Sequence, residues 1–226
     1  MEIIVIAAVI LIIIFIVKSV RKDNSFTDAR NGDSGGSFFI DPRDGKKYRT
    51  VKIGEQVWMA QNLNYEARGS KCYNNDSSNA KKYGRLYDWE TAMKACPEGW
   101  HLSTTAEWDA LMNYVGGSDI AGAKLKASFG WSDVHTGGSA NGSDVYGFAA
   151  LPGGFWGGRF TCIGYMGYWW SDPSQYGNLR LYDVNYWCIC DDGLSYGHYP
   201  KDNLYSVRCV QDQGNRTEIP SKEDSL

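Results

Sequence analysis

The sequence predicts an α+β domain, with helices beside an antiparallel sheet, preceded by a hydrophobic helix. The first observation is an apolar run, Ile3–Val17, at the start of an otherwise polar chain. The second is the order of the later elements: a hairpin, two helices, long loops and then strands. The third is a content of 26 Gly, 15 Tyr and 9 Trp. It is typical of a loop-rich β-containing domain, because glycine permits unusual backbone angles and aromatic rings supply buried area.

A hydrophobic α-helix is predicted for residues 1–22. Its apolar run, Ile3–Val17, is slightly short for a membrane span, which usually needs about 20 apolar residues. Including Met1, Ser19 and Val20 makes a span feasible. We therefore expect this helix to contact a lipid bilayer or other copies of itself.

Two signals conflict over where the following domain lies. Lys18, Arg21 and Lys22 follow the helix, and the positive-inside rule would place the domain in the cytoplasm. The cysteines favour an oxidising, extracellular environment instead. A cleaved secretory signal is not indicated, because the basic n-region and the small-residue cleavage site are not visible.

A surface filament would remove this conflict. The helix resembles that of type IV pilin-like proteins, whose mature chain begins with an apolar helix carrying a glutamate. The pilin pattern places the acid at the fifth residue, whereas Glu2 is the second residue here and no leader precedes Met1. Two expectations stay open: a filament core with Glu2 as its assembly residue, or a single-pass membrane anchor. Both place the protein at the cell surface.

The rest of the chain divides into three segments. Residues 23–36 are mostly Gly, Ser, Asn and Asp, which is typical of a flexible linker. Residues 37–212 are predicted to form the folded domain. Residues 213–226 are a polar tail, which we expect to be frayed.

Strands are predicted at both ends of the domain. The alternating runs Lys47–Ile53 and Gln56–Leu63, which a Gly-Glu pair separates, predict a β-hairpin. In the glycine-rich second half, Leu179–Val184 and Leu204–Gln211 have the strongest strand patterns. Long Gly- and aromatic-rich loops are expected between them.

Two short helices are predicted between these strands. The first is Asp88–Ala95, with Asp88 as its N-cap. The second begins with a capping box formed by Thr104 and Glu107 and carries an apolar stripe. A third short helix is possible over Ile120–Ala127.

Six cysteines lie in the polar part of the chain. An even count after an apolar export-type segment predicts disulfides. A metal site is the alternative, but no Cys-x-x-Cys pair occurs, so neither metal nor cofactor is expected. If Cys188 and Cys190 lie on a strand, their thiols share one face and should bridge to other cysteines. The six are Cys72, Cys96, Cys162, Cys188, Cys190 and Cys209.

Aromatic side chains crowd the glycine-rich half. Burying all of them in one small domain is difficult, so some should be exposed as flat anchors for a polysaccharide or a surface protein. The alternative is that they pack under long loops and replace aliphatic core. The candidate ligand-binding residues are Trp156, Tyr165, Tyr168, Trp169, Trp170, Tyr182, Tyr186 and Trp187.

Several function classes are disfavoured. A formal net charge of -3, with no run of five or six like charges, gives no nucleic-acid footprint. His101 lies in a Gly-Trp-His-Leu turn and is interpreted as structural. The Gly-x-Ser-x-Gly match at Gly193–Gly197 is interpreted as a glycine-rich loop, because it lacks the strand before it and the helix after it that a nucleophile elbow needs. Catalysis is therefore not expected.

Eight motifs follow one another along the predicted domain: Asp44–Gly54, Trp58–Tyr65, Gly84–Trp89, Cys96–Ser103, Glu107-Trp108, Gly147–Gly154, Tyr168–Ser171 and Ser206–Val210. In this order they resemble the major paralogous domain first named from Fibrobacter succinogenes (FISUMP). The resemblance covers about residues 37–212.

The resemblance implies a C-type-lectin-like fold on a surface protein. It also implies that Cys96 and Cys209 pair, which would leave Cys72 and Cys162 to bridge to the other two cysteines in some order. Calcium-binding lectins of that fold use a Glu-Pro-Asn or Gln-Pro-Asp triplet, whereas the nearest match here is Asp172-Pro173-Ser174. Calcium-dependent sugar binding is therefore not expected.

Three functions follow from these observations. We expect a non-enzymatic extracellular protein, either a pilin-like filament subunit or a membrane-anchored adhesin, that presents this head. The alternative is a stand-alone carbohydrate-binding module on the cell envelope. A third, less favoured class is an oxidase similar to the fold's formylglycine-generating relatives, which would use a redox-active cysteine pair.

Overall fold

The structure is a computed structural model that describes residues 37–133, 135, 138–173, 183–190 and 193–213. The predicted hydrophobic helix with Glu2, the linker, Tyr182 and nearly all of the predicted tail lie outside these residues. Within the described part of the chain, no helix is long and apolar enough to cross a membrane.

Thirteen β-strands lie within the described residues. They are β1 (Phe38–Ile40), β2 (Lys47–Ile53), β3 (Gln56–Met59), β4 (Ser70–Lys71), β5 (Leu86–Tyr87), β6 (Trp100–Leu102), β7 (Gly153–Trp156), β8 (Phe160–Ile163), β9 (Gly167–Trp170), β10 (Asp183–Ile189), β11 (Leu194–Pro200), β12 (Tyr205–Ser206) and β13 (Cys209–Gln211). Most are short, as expected for a domain rich in glycine and loops.

Four α-helices and one 3₁₀-helix lie between the strands of the described region. They are the 3₁₀-helix Tyr73–Asn75 and the α-helices α1 (Ser77–Tyr83), α2 (Trp89–Ala95), α3 (Thr105–Val115) and α4 (Ser118–Leu125). The α+β class is confirmed, although the sequence predicted two helices and a possible third.

The strands form two sheets. The first has the order β1-β2-β3-β13-β6, and all its neighbouring strands are antiparallel. The second has the order β11-β10-β9-β12-β5-β4, and β7 and β8 extend from it. Its pairs are antiparallel except for short parallel contacts of β9 with β12 and β7. The sequence predicted one antiparallel sheet, whereas the structure contains two sheets.

The predicted last strand is divided between these sheets. Tyr205–Ser206 (β12) belongs to the second sheet, and Cys209–Gln211 (β13) belongs to the first. Val207 and Arg208, both 0% exposed, carry the chain from one sheet to the other. The alternating pattern predicts the two ends correctly but does not reveal this crossing, because both halves remain extended.

The helix-capping predictions are confirmed. The side chain of Asp88 accepts a hydrogen bond from the backbone N–H of Thr91 at the start of α2. Thr104 and Glu107 form a capping box at the start of α3, with both reciprocal hydrogen bonds present. Gly116, in the left-handed region with φ of 113°, ends α3.

The core is mainly aromatic. One cluster surrounds Trp108, whose ring is stacked on Trp187 with a centroid distance of 5.7 Å. A second cluster surrounds Tyr205, whose ring centroid lies 4.4 Å from that of Trp170. Large buried rings thus replace part of the aliphatic core.

One of the predicted disulfides is present. Cys96 and Cys209 are bonded, which joins the end of α2 to β13 as the family resemblance implied. The predicted pairing of Cys72 and Cys162 with Cys188 and Cys190 is wrong in this structure, where all four are thiols. Cys72 has another partner, since Arg85 Nη1 donates to its Sγ at 3.2 Å. Cys188 lies near the Cys190 and Cys162 thiols, but no bond joins them.

Candidate binding site

Three of the predicted ligand-binding side chains lie in the core. Trp169, Trp170 and Trp187 are 0%, 0% and 1% exposed. The indole N–H of Trp169 donates to Asn62 Oδ1, and that of Trp170 donates to the carbonyl of Tyr87. A ring with both faces covered offers no surface to a ligand, so the expected exposure is wrong for these three residues.

Two further candidates form a half-buried aromatic cluster. The ring centroid of Tyr205 lies 5.3 Å from that of Tyr168 and 5.2 Å from that of Tyr186. Burial raises the pKa of the Tyr168 phenol, and the nearby Cys188 thiol adds to this effect. These rings mainly contact one another and Phe155. Tyr168 and Tyr186 therefore serve mainly to pack the side chains on the second sheet.

The remaining described candidates are Tyr165 and Trp156. Tyr165 is 38% exposed on the turn between β8 and β9. Trp156 ends β7 and is partly exposed at the wall of a cleft of about 530 Å³, which we call the Trp156 cleft. The cleft is lined by Arg68, Gly69, Ser70, Lys71, Asp88, Glu90, Trp156, Lys201, Asp202 and Leu204.

Backbone hydrogen bonds fix the position of Trp156. Its N–H donates to the carbonyl of Leu204, and its carbonyl accepts from the Leu204 N–H at 2.9 Å. The ring packs beside a small buried cluster that includes Leu204 and Tyr73. Lys71 Nζ lies 4.4 Å from the ring centroid of Trp156, in a cation–π arrangement.

A close backbone approach builds the opposite wall. The carbonyl of Gly69 accepts a hydrogen bond from the N–H of Asp88, the residue that caps α2. A Cβ at Gly69 would overlap the side chains of Thr91 and Asp88. Only glycine therefore lets the 68–71 segment lie against the first turn of α2, where Glu90 also lines the cleft.

The cleft combines one aromatic ring with six charged side chains. The cations are Arg68, Lys71 and Lys201, and the carboxylates are Asp88, Glu90 and Asp202. Carboxylates accept hydrogen bonds from hydroxyl groups, ammonium and guanidinium groups donate them, and an indole ring packs against apolar faces. Because the formal charges cancel, the arrangement suits a neutral ligand with many hydroxyls.

Sequence reasoning identified Trp156 but missed the charged residues around it. They come from four segments that are distant in the chain: 68–71, 88–90, 156 and 201–204. Because these segments are far apart in the sequence, no local residue pattern indicates that they meet in the fold. The close approach at Gly69 beside the Asp88 cap is visible only in the folded chain.

The described residues show neither a nucleophile elbow nor a metal cluster. Ser195 lies inside the strand β11, whereas an elbow needs a sharp turn from a strand into a helix. The sequence interpretation of Gly193–Gly197 as a loop is wrong for most of this segment, because β11 begins at Leu194. Among the described residues, no group of three or more His, Cys, Asp or Glu side chains can hold a metal ion.

His101 lies between two carboxylates at the end of the first sheet. Its Nε2 is 2.9 Å from Glu107 Oε1, and its Nδ1 is 2.6 Å from Asp212 Oδ1. The hydrogen bond with Glu107, followed by that with Asp212, raises the pKa of His101 to about 9. Glu107 also belongs to the capping box of α3, so this contact ties the chain after β13 to that helix.

The fold and the cleft define a small α+β domain with a charge-balanced surface cleft. The family model described as the Fibrobacter succinogenes major domain matches residues 51–211. The chain belongs to this family. No curated protein and no solved structure gives a significant match to the chain.

Proposed function

We propose that this chain is a non-enzymatic extracellular surface protein whose domain binds a hydroxyl-rich ligand, in the first instance a neutral polysaccharide. The Trp156 cleft is the observation that carries this proposal. Its partly exposed indole ring lies among three carboxylates and three cations in an open cleft. The domain would be a C-type-lectin-like head that works without calcium.

The chemistry of a pyranose ring supports this assignment. The C–H face of a sugar packs against an indole ring, while its hydroxyls need both donors and acceptors. Lys71 now lies over one face of Trp156. A sugar would displace this ammonium group or stack on the other face of the ring.

The binding test uses the full chain in detergent and neutral oligosaccharides of cellulose and xylan. We expect titration calorimetry to detect binding and Trp156→Ala to weaken it about tenfold or more, because an aromatic anchor dominates such a site. Tyr165→Ala is the matched control, since Tyr165 is an exposed aromatic outside the cleft. Equal affinities for the wild type and Trp156→Ala would reject the Trp156 cleft as the site.

The mode of display is a separate part of the proposal. In a filament core, Glu2 would be buried, and an unpaired buried carboxylate costs several kcal/mol. The terminal amine of a neighbouring subunit is therefore its expected partner. A single-pass anchor would not need this pair.

Electron microscopy of sheared cell-surface material separates filament from anchor. We expect Glu2→Ala to reduce filament number while the head remains folded. Glu55→Ala is the control, because Glu55 is an exposed acid in the turn after β2. If Glu2→Ala forms filaments of normal number and length, the filament proposal is rejected and the membrane anchor is the remaining explanation.

The extracellular location has its own test, which is labelling of intact cells with a membrane-impermeant reagent. Failure of this label to reach the domain would reject the extracellular location.

A further inference from the structure

We propose that a second, basic cleft on this domain binds oligosaccharides that carry carboxylate groups, such as uronic acid polymers. The site is independent of the Trp156 cleft, and the two clefts share no lining residue. The proposal therefore survives or fails separately from the proposed function.

The basic cleft has a volume of about 780 Å³, within the range of roughly 300–1,000 Å³ that is typical of ligand sites. Its walls come from the start of β2, the segment after β3 and the end of α1. Single residues from later loops complete it. It is lined by Lys46, Lys47, Tyr48, Arg49, Ala60, Gln61, Asn62, Asn64, Ala80, Lys81, Lys82, Gly84, Phe129, Asp144, Ala149 and Leu151.

The lining carries five cations and one carboxylate. The cations are Lys46, Lys47, Arg49, Lys81 and Lys82, and the carboxylate is Asp144. The cleft is therefore positively charged, although the chain as a whole has a formal net charge of -3. Like charges that converge on one cleft repel one another, and an anionic ligand would relieve that repulsion.

Some of these cations have local partners. Lys46 Nζ lies 2.6 Å from Asp44 Oδ2, and Lys47 Nζ lies over the ring of Phe38. Lys81 is in the last turn of α1, where a cation also interacts favourably with the helix dipole. Arg49 and Lys81, however, form no ion pair with any carboxylate among the described residues. These two side chains remain available for an anion.

A buried cation lies beneath the floor of the cleft. Arg208 is 0% exposed, and the oxygens that accept its shortest hydrogen bonds are all neutral. They are Asn62 Oδ1 at 2.8 Å, the Phe148 carbonyl at 2.6 Å and the Met59 carbonyl at 3.1 Å. Burial lowers the pKa of Arg208 to about 9, although the nearby Asp144 carboxylate opposes this shift.

Asp144 is the one carboxylate that lines the cleft, and its side chain is half-buried and hydrogen-bonded to the backbone. Its Oδ1 accepts a hydrogen bond from the Ala149 N–H at 2.8 Å. Burial raises the pKa of Asp144 despite this bond and the nearby Arg49 and Arg208. Asp144, together with the Asp44 carboxylate that pairs with Lys46, does not neutralise five cations, so the cleft keeps a net positive charge.

The two walls are tied together at Gly84. This residue has φ of 78°, and a Cβ there would lie 2.7 Å from Asn62 Cβ and 2.8 Å from the Leu63 carbonyl. Asn62 Nδ2 donates to the Tyr83 carbonyl at 2.8 Å, and the Arg85 N–H donates to the Leu63 carbonyl. The end of α1 is thereby held against the segment after β3, so the site is preorganised.

The shape and the uncharged lining favour a saccharide over an acidic protein. The site is concave, whereas protein partners generally cover broad surfaces. Gln61 and Asn64 place amide groups beside the cations, where they can pair with hydroxyls. Phe129, 56% exposed, supplies an apolar ring against which a sugar face can pack.

The test compares oligogalacturonate with neutral galacto-oligosaccharides of the same length, using titration calorimetry on the full chain in detergent. We expect binding of the charged sugar only, and weaker binding as salt rises, because ions screen surface charges. Arg49→Gln with Lys81→Gln should reduce the affinity about tenfold or more. The matched control is Lys94→Gln with Arg159→Gln, which removes two exposed cations outside both clefts and should leave this affinity unchanged.

Three results would overturn the proposal. The first is equal binding of the neutral sugars, and the second is an unchanged affinity in the Arg49→Gln, Lys81→Gln variant. The third is tighter binding of poly-glutamate than of oligogalacturonate, which would make the ligand an acidic polypeptide. Circular dichroism of each variant confirms that the domain remains folded.

Discussion

The side-chain oxygen of Asn62 accepts two hydrogen bonds from the guanidinium group of Arg208, at 2.8 Å from Nη2 and 3.1 Å from Nε. The same oxygen accepts the indole N–H of Trp169 at 2.8 Å. The Asn62 amide nitrogen donates to the Tyr83 carbonyl and to Ser206 Oγ. One buried amide thus connects the crossing between the two sheets, the core and the end of α1.

Asn62→Ala should be strongly destabilising. It leaves the buried Trp169 indole N–H and the Nε of the buried Arg208 without their acceptor, and unpaired buried groups of this kind cost about 3 kcal/mol or more. Urea unfolding measures the loss. Asn64→Ala, two residues further along the same segment, is the control and should change stability by about 0.5 kcal/mol or less. A loss below about 1 kcal/mol for Asn62→Ala would contradict this account.

Stability should depend on pH through His101. Its pKa is raised from the ordinary value of 6.5 to about 9, so its contribution is fully present below pH 6.5 and is lost as pH rises through 9. Burial opposes ionisation of Glu107, but the hydrogen bonds with His101 and Thr104 lower its pKa overall. The contribution of Glu107 is therefore present above its ordinary pKa of 4.5 and is lost as pH falls.

Melting temperatures between pH 5 and pH 10 test the His101 contact. The wild type should lose stability between about pH 6.5 and pH 9, and His101→Gln should lose much less over that interval. His135→Gln is the control, because His135 is exposed. Parallel curves for the wild type and His101→Gln would show that other groups set the pH dependence.

Local signals in the sequence predicted local structure well. The Asp88 cap and the Thr104–Glu107 box depend on residues within one turn, and the hairpin at Lys47–Ile53 depends on an alternating run. Each of these elements forms, although the second strand of the hairpin ends at Met59 and not at Leu63. Cys96–Cys209 was predicted only through the family resemblance, since a separation of 113 residues leaves no local trace.

The aromatic residues show where such reasoning fails. Trp169 and Trp170 are adjacent in β9 and point to opposite faces, yet both are 0% exposed. Both faces of the second sheet are therefore covered at this position, and a run of aromatics does not reveal that layering. The charged lining of the Trp156 cleft was missed because it is assembled from distant segments.

Gly69→Ala should disrupt the Trp156 cleft and the start of α2 together. Its Cβ would overlap Asp88 and Thr91, so the cap must break or the 68–71 segment must move. Loss of a cap and the accompanying strain should cost about 1–3 kcal/mol in urea unfolding. Gly193→Ala is the control, because its nearest neighbour would be the Ser118 carbonyl at 3.4 Å, an ordinary contact. Equal stabilities of the two variants would refute the close approach at Gly69.

Removing the Cys96–Cys209 bond should destabilise the domain considerably. The bond closes a loop of 113 residues, for which the chain-entropy model gives a stabilisation of about 4–5 kcal/mol. We expect Cys96→Ala with Cys209→Ala to show a loss of this size in urea unfolding. Cys72→Ala is the control, since Cys72 is a partly buried thiol outside the bond. Similar losses in both variants would mean that cavity formation, rather than the bond, sets the effect.

Four of the six cysteines lie outside the Cys96–Cys209 bond. Cys72, Cys162, Cys188 and Cys190 are thiols in the structure, so a denatured but unreduced chain should react with four equivalents of a thiol reagent. Three disulfides, which the even count of cysteines predicts, would leave no thiol to react with the reagent.

The order of reaction in the native protein tests the arrangement of these thiols further. Cys188 is 7% exposed, and burial, together with the neighbouring Cys190 thiol, raises its pKa. The thiolate is the reactive species, so N-ethylmaleimide should modify Cys188 last and Cys190, which is less buried, earlier. Peptide mapping at successive times measures this order. Early modification of Cys188 would show that the end of β10 opens readily in solution.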